Sequence, residues 1–375
     1  MTLLESTKSA LPPKGFSKTT KTRVNSQYSE LLAKVKEAGL LKRVPSFYIK
    51  RFIIVSLAVW SLWTALFFIS GSANFFIFAL AIPAAILLGV LTAQYGFIAH
   101  EAAHRQVFNN NKANDTAGLV LANGFAGLSY GFWLRKHNKH HQKPNTIGED
   151  PDIAIRVLAF TPEDVAKKKN PERFITRNQG KLFPFLLLFT GFDLLLDSFA
   201  SLGRKDRHLK RRLVEFGIML VRQAAPLVFL FLVFPPIYAG VIYLAFMFTF
   251  GLFMGGAFAP NHKGMPLIPR DAKINFFQRQ VLTSRNIKSS WLKDNLMGGL
   301  NFQVEHHLFP SMSRPHLRKA HEIVIKYCQE HQIPFAEVGL FKSYGIVIDY
   351  LNKVGLSKNS DPFVCPMVAE LRPRN

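Results

Sequence analysis

Two long stretches of this 375-residue chain carry no charged side chain: neither Phe52 to His100 nor Gln223 to His262 contains a Lys, Arg, Asp or Glu. Each is about twice the roughly 20 residues that a helix needs to cross the hydrocarbon core of a bilayer, so each predicts a helical hairpin that crosses and returns. The first hairpin turns at Gly71-Ser72-Ala73-Asn74, between helices over 52–70 and 75–97. The second turns near Pro235-Pro236, between helices over 214–234 and 237–258. The pattern predicts an all-α integral membrane protein with four transmembrane helices in two hairpins. Shorter patterns fill the rest. Residues 1–25 read as flexible. Ser26–Gly39, with Leu31, Leu32, Val35 and Ala38 on one side, predicts an amphipathic helix on the membrane surface. Thr116–Trp133 is apolar but Gly-rich, is short for a crossing and predicts a re-entrant or protein-buried piece. Leu182–Leu196 is shorter still, carries Asp193 and predicts an interfacial helix; Pro315 to Gln329 predicts another helix. The organisation expected is an N-terminal segment over 1–47, a membrane domain over 48–332 and a C-terminal tail over 333–375, with no separate soluble domain.

Charge sets the orientation. Residues 1–51 hold eleven Lys or Arg, the segments 135–212 and 263–375 hold most of the others, and neither hairpin turn holds any. The positive-inside rule then places both termini and the helical cap between and after the hairpins in the cytoplasm. A net charge of +23 raises nucleic acid as a partner, but basic residues flanking membrane helices meet anionic lipid headgroups, and no basic stripe with interleaved aromatics is present. The basic face also suits an acidic electron-transfer protein or a phosphate-bearing substrate. Cys328 and Cys365 suggest no disulfide framework. The polar, basic N-terminus with Pro12-Pro13 does not resemble a signal peptide, so insertion is expected to rely on the first hairpin.

Seven of the twelve histidines fall into three groups, His100/His104, His137/His140/His141 and His306/His307, each just outside an uncharged run. Residues four apart share a helix face, so His100 and His104 aim two imidazoles at one point, and the second group brings three rings together. Neutral imidazole is the commonest side-chain ligand of iron, zinc and copper. His100-Glu101-Ala102-Ala103-His104 also fits the zinc-protease pattern, but a hydrolytic zinc needs about three protein ligands, and seven imidazoles exceed that. A metal transporter would place polar ligands within its spans, whereas these lie at helix ends. His208, His316, His321 and His331 lack ligand spacing and read as structural.

His100-x-x-x-His104, His137-Asn138-Lys139-His140-His141 and Gln303-Val304-Glu305-His306-His307 resemble the three histidine boxes of the membrane fatty-acid desaturases. The order of boxes and hairpins and the run Asn301 to Pro310 share the resemblance, over about Tyr48 to Gln332. Gln303 in the first position of the third box is similar to the front-end desaturases, which act between an existing double bond and the carboxyl end. The resemblance implies two iron ions held by histidine and O₂ as co-substrate, forming a double bond in an acyl-CoA or acyl-lipid chain. An unactivated C–H bond yields to no side-chain acid or base, so a metal cofactor must carry that step. The resemblance adds His262 as an eighth ligand, with Asn261 and Asn301 as substitutes for a water-mediated asparagine. Phe258 stands where relatives have that residue. Gln303 either binds metal through its carbonyl or orients a ring. Among nearby acids Glu305 and Asp152 are expected to orient imidazoles, whereas Glu101 and Asp150 read as solvated or salt-bridged. Trp133, Tyr130 and Phe132 are candidates for an acyl tunnel. The His-Pro-Gly-Gly haem motif of fused cytochrome b5 domains does not occur among these residues, so electrons are expected from a separate ferredoxin or cytochrome b5 and its reductase. A hydroxylase or ketolase of the same histidine-rich type is the nearest alternative.

Overall fold

A computed structural model describes residues 18–72, 74–204 and 208–356. Cys365 and the tail beyond Leu356, residues 1–17 and Ala73 lie outside the described residues. Its labelled helices are α1 (Lys18–Glu37), α2 (Pro45–Ser70), α3 (Phe75–Ala103, interrupted at Leu80), α4 (Asn111–Leu119, continued by a π-helical turn Val120–Ala126), α5 (Tyr130–Gln142), α6 (Gln179–Leu202), α7 (Leu209–Val233), α8 (Pro236–His262), α9 (Gln303–Leu308), α10 (Leu317–Glu330) and α11 (Leu340–Leu356). Two two-residue strands, Asn286–Ile287 and Glu337–Val338, pair in parallel.

The chain reverses where helix-breaking chemistry is concentrated. At the first turn Asn74 caps α3, its side chain accepting from the backbone N–H of Phe76 and Ile77 at 2.9 and 3.4 Å. At the second, Pro236 opens α8, where its missing N–H costs nothing. Ser129 caps α5 by accepting from Phe132 N–H at 3.1 Å, and its own hydroxyl donates to buried Glu215 at 2.8 Å. Between α4 and α5 the chain bends by 113°. Gly127 makes that bend with φ +78°, the left-handed conformation that glycine adopts without a Cβ clash.

Five helices are long and apolar enough to cross a membrane: α2, α3, α6, α7 and α8. The fifth, α6, is longer than the sequence reading allowed. It extends to 24 residues, beyond the apolar run Leu182–Leu196 at both ends, so the argument that this segment is too short to span does not hold. Tertiary packing carries the helix past Lys181 and Asp197, polar residues that bounded the run in sequence. Close backbone approach joins α6 to α8: a Cβ on Gly251 would lie 2.5 Å from the Leu188 carbonyl and 2.6 Å from the Gly191 nitrogen.

The amphipathic helix α1 is a second correction. Leu31 and Val35 are fully buried against Phe309, Met312 and the apolar face of α10, and Tyr28 donates to the Leu308 carbonyl at 2.9 Å. Its apolar face is therefore covered by protein, not by lipid. Ala38 is exposed, and Leu40 is buried in its place. Burial of Leu31 and Val35 contributes about 1.5–3 kcal/mol each and holds α1 over the end of α9.

Candidate metal centre

Helical geometry sorts the histidines into two groups. His100 and His104, one turn apart at the end of α3, have ring centroids 4.7 Å apart. On α5, His137 and His141 share a face (4.4 Å), whereas His140 lies about 100° around the helix from His141 and points elsewhere. The short helix α9 repeats the device: Gln303 and His307 are four apart, and His306 lies about 100° from His307. The result is one cluster of His100, His104, His137, His141 and His306, and a second of His140, His262 and His307. Each offers nitrogen atoms within 4.8 Å of one another. The clusters adjoin, since the His141 and His307 rings stack at 4.1 Å.

The donor set fits metal ions. The Nε2 atoms of His100 and His137 approach to 2.8 Å, those of His137 and His141 to 3.0 Å, and those of His140 and His262 to 3.3 Å. Nitrogens His104 Nε2, His306 Nε2 and His307 Nε2 are buried without any hydrogen-bond partner. Such atoms are costly to desolvate unless something accepts their lone pairs. Burial, with His140 nearby, holds the His104 imidazole at about 3. Burial likewise keeps His306 and His307 well below the ordinary range, aided by His104 and His262 respectively. All three rings are neutral near pH 7, the form that coordinates a metal.

Outer bonds fix three rings. His140 Nδ1 lies 3.0 Å from both oxygens of Asp150, His262 Nδ1 is 2.9 Å from the Thr283 carbonyl, and His307 Nδ1 is 2.8 Å from Gln280 Oε1. Each turns the opposite Nε2 inward. Asp150 is thus the carboxylate on a site imidazole, and the solvated reading of it fails: its side chain is also tied to the N–H groups of Asn145 and Asp152 at 2.7 and 2.9 Å. Asp152 stands 3.6 Å from His140 Nδ1 and pairs with Lys136 at 3.5 Å. Glu305 accepts from Asn286 at 2.7 Å and bonds His321 at 3.0 Å, away from the eight imidazoles. Burial pulls the His321 imidazole down, but its bond to Glu305 and the charges of Glu305 and Glu337 outweigh this and hold it above its ordinary value. Glu101 is clamped by Arg314 at 2.6 Å through Nε and again through Nη2, so the carboxylate that a zinc protease would use as base is engaged elsewhere.

Of the amides, Gln303 reaches the second cluster, its Nε2 2.8 Å from His262 Nε2 and its Oε1 3.2 Å from Asn261 Nδ2. Asn261 also donates to the Ala257 and Leu300 carbonyls, whereas Asn301 donates to Asp294 at 2.8 Å. Gln280 and Thr283 carry no sequence signal; they find the imidazoles only because the short helix Phe276–Leu282 folds across α5 and α9.

A cavity of about 430 Å³ opens beside both clusters, lined by His137 and His262, by Trp133, Met254 and Phe258, and by Phe183 to Leu196 of α6. Trp133 lines it. Tyr130 does not, being fully buried with its hydroxyl 3.2 Å from Asp115, and Phe132 packs against Leu128 and Phe250.

Comparison with known proteins identifies the family. The fatty acid desaturase family model matches residues 76–339. The chain is 30% identical over 289 residues to the Delta(6)-fatty-acid desaturase fat-3 of Caenorhabditis elegans, covering 73% of this chain and 64% of that protein. It is 26% identical over 345 residues to the Delta(5) fatty acid desaturase fat-4 of the same organism, covering 88% and 74%. To the Delta(8)-fatty-acid desaturase of Euglena gracilis it is 28% identical over 276 residues, covering 71% and 66%. The chain thus spans about two thirds of the length of these relatives, and it belongs to the fatty acid desaturase family.

Proposed function

We propose that this chain is an O₂-dependent acyl desaturase acting on an acyl-CoA or acyl-lipid. One observation carries the reading: eight imidazoles converge in two adjoining clusters, and one imidazole of each, His137 and His262, lines a largely apolar cavity. His100, His104, His137, His141 and His306 would hold one metal ion, and His140, His262 and His307 the other, with Gln303 beside the second. Two iron ions there would supply the oxidation that removes two hydrogens from adjacent methylenes, with two electrons from a separate ferredoxin or cytochrome b5. The chain's own residues do the positioning. Phe183, Leu187, Met254 and Phe258 exclude water and hold an acyl chain against His137 and His262, while Asp150, Gln280 and Thr283 keep His140, His307 and His262 aimed. The relatives named for Delta-5, Delta-6 and Delta-8 positions support a new double bond toward the carboxyl end.

Four spans, α2, α3, α7 and α8, with α6 lying against α8 without crossing, return the chain to its starting side, and the Lys and Arg flanking the hairpins then lie together on that side. That side is the cytoplasm, where the basic surface meets lipid headgroups and an acidic donor protein.

Expression in a host that lacks polyunsaturated acids, fed single acids, tests the reading by the double-bond positions in the products. His141→Ala and His307→Ala should each abolish product and lower bound iron from two per chain. Hydroxylated product in place of an alkene would favour the hydroxylase, and full turnover by a zinc-only preparation without O₂ consumption would overturn the desaturase.

A further inference from the structure

A second cavity, of about 560 Å³, lies between α2, α3, the π-helical turn and α7, away from the histidines. Its wall is mostly aromatic and aliphatic, with Trp63, Phe125 and Phe229 among its members, and Trp60, Phe67 and Phe68 of α2 are exposed at its edge. One cation interrupts this surface. Arg222, near the middle of α7, lines the cavity, donates from Nε to the Phe125 carbonyl at 2.7 Å and lies 6.0 Å from the Phe246 ring. Among the described residues no carboxylate pairs with it. Pro226, one turn on, has no N–H for the Arg222 carbonyl, which makes this stretch of wall more polar still.

A guanidinium within a membrane span is costly unless an opposite charge or dense hydrogen bonding matches it, and such residues mark binding sites more often than scaffolding. Nε is already committed to Phe125, which leaves the two terminal nitrogens for an incoming acceptor. Two parallel N–H groups match the two oxygens of a carboxylate. The walls offer no second cation for a phosphate, and their other polar side chains are only the hydroxyls of Thr64, Thr92 and Tyr95, the last donating to Ser56 at 2.9 Å. The volume falls within the roughly 300–1,000 Å³ of ligand sites.

We propose that this cavity binds a long-chain fatty acid, its carboxylate paired with Arg222 and its chain along Trp63, Phe67 and Phe229, as a lipid site separate from the metal centre. It does not depend on the catalytic reading, because binding needs neither metal nor turnover. The test uses the full chain in nanodiscs of phosphatidylcholine, without reductant, and a palmitate carrying a photoreactive diazirine. Labelling is expected in peptides containing residues 59–68, with competition by palmitate but not by methyl palmitate. Arg222→Gln should lower labelling at least tenfold, and Arg222→Lys, which keeps the charge but not the paired N–H groups, should restore part of it. Ala225→Trp, which fills the cavity beside the guanidinium, should abolish labelling while bound metal and melting temperature stay unchanged; it decides the matter if Arg222→Gln does not fold. Undiminished labelling in Arg222→Gln, or in Ala225→Trp, would overturn the assignment. So would equal competition by methyl palmitate, stronger competition by phosphatidylglycerol, or labelling confined to Phe183–Leu196 beside the other cavity.

Discussion

At the scale of single residues, the site depends on groups that aim imidazoles as much as on the imidazoles. Asp150 accepts from His140 and from two backbone N–H groups, so its carboxylate is held rigidly while it orients the ring. Asp150→Asn is expected to weaken metal binding by about 10–100-fold, the usual effect of losing such a partner, with the fold intact; metal retention during dialysis against a chelator measures it. Gln303 sits on the metal-facing side of His262, whose other nitrogen is occupied by the Thr283 carbonyl. If it assists a metal, Gln303→His should retain some product, whereas Gln303→Ala and Gln303→Ile should retain none. A packing role reverses the order: isoleucine, apolar and closer to glutamine in volume, would then keep the most activity, with iron unchanged in all three.

At the scale of elements, the adjacent pairs His140-His141 and His306-His307 are the joints of the centre. Neighbours on a helix diverge by about 100°, so each pair gives one imidazole to each cluster, and α5 and α9 must be fixed in both rotation and height. Asn286 holds α9 by accepting from Val304 N–H at 2.8 Å and donating to Glu305, while His321 joins Glu305 to Glu337. The contact of α6 with α8 sets the cavity wall, and it depends on backbone approaching backbone. Gly251→Val should destabilise the protein by roughly 1–3 kcal/mol or more, because the added carbons meet main-chain atoms that cannot turn aside. Gly217→Ala on α7, where a Cβ meets nothing within 4 Å, should leave the melting temperature unchanged or slightly raised.

At the scale of the whole molecule, the arrangement in the membrane is open to direct labelling. Cysteines at Ser72 and Ile237, in the two hairpin turns, should react with an impermeant maleimide from outside the cell. A cysteine at exposed Lys326 on α10 should react only after the membrane is opened; the reverse pattern would overturn the cytoplasmic site. Native Cys328 will not serve as the inner probe. Its thiol is fully buried against α1 and is pushed up to about 12 by burial, with Glu305 adding to the effect, so it stays protonated and shielded until the protein is denatured.

The sequence by itself determined what depends on local spacing and on transfer into lipid. Uncharged runs such as Phe52 to His100 are long enough to cross a bilayer twice, and imidazoles four apart on a helix share a face, so the hydrophobic helices and the gathering of the histidines were legible without coordinates. Tertiary structure decided what depends on neighbours distant in the chain. It covered α1 with α10, carried α6 beyond its apolar run, gave Asp150 rather than Glu305 to a site imidazole, and divided eight rings into five and three. Those outcomes rest on contacts such as Gln280 to His307 and Thr283 to His262, more than twenty residues apart in sequence. No periodicity encodes such pairs, because they exist only once separate helices have packed against one another.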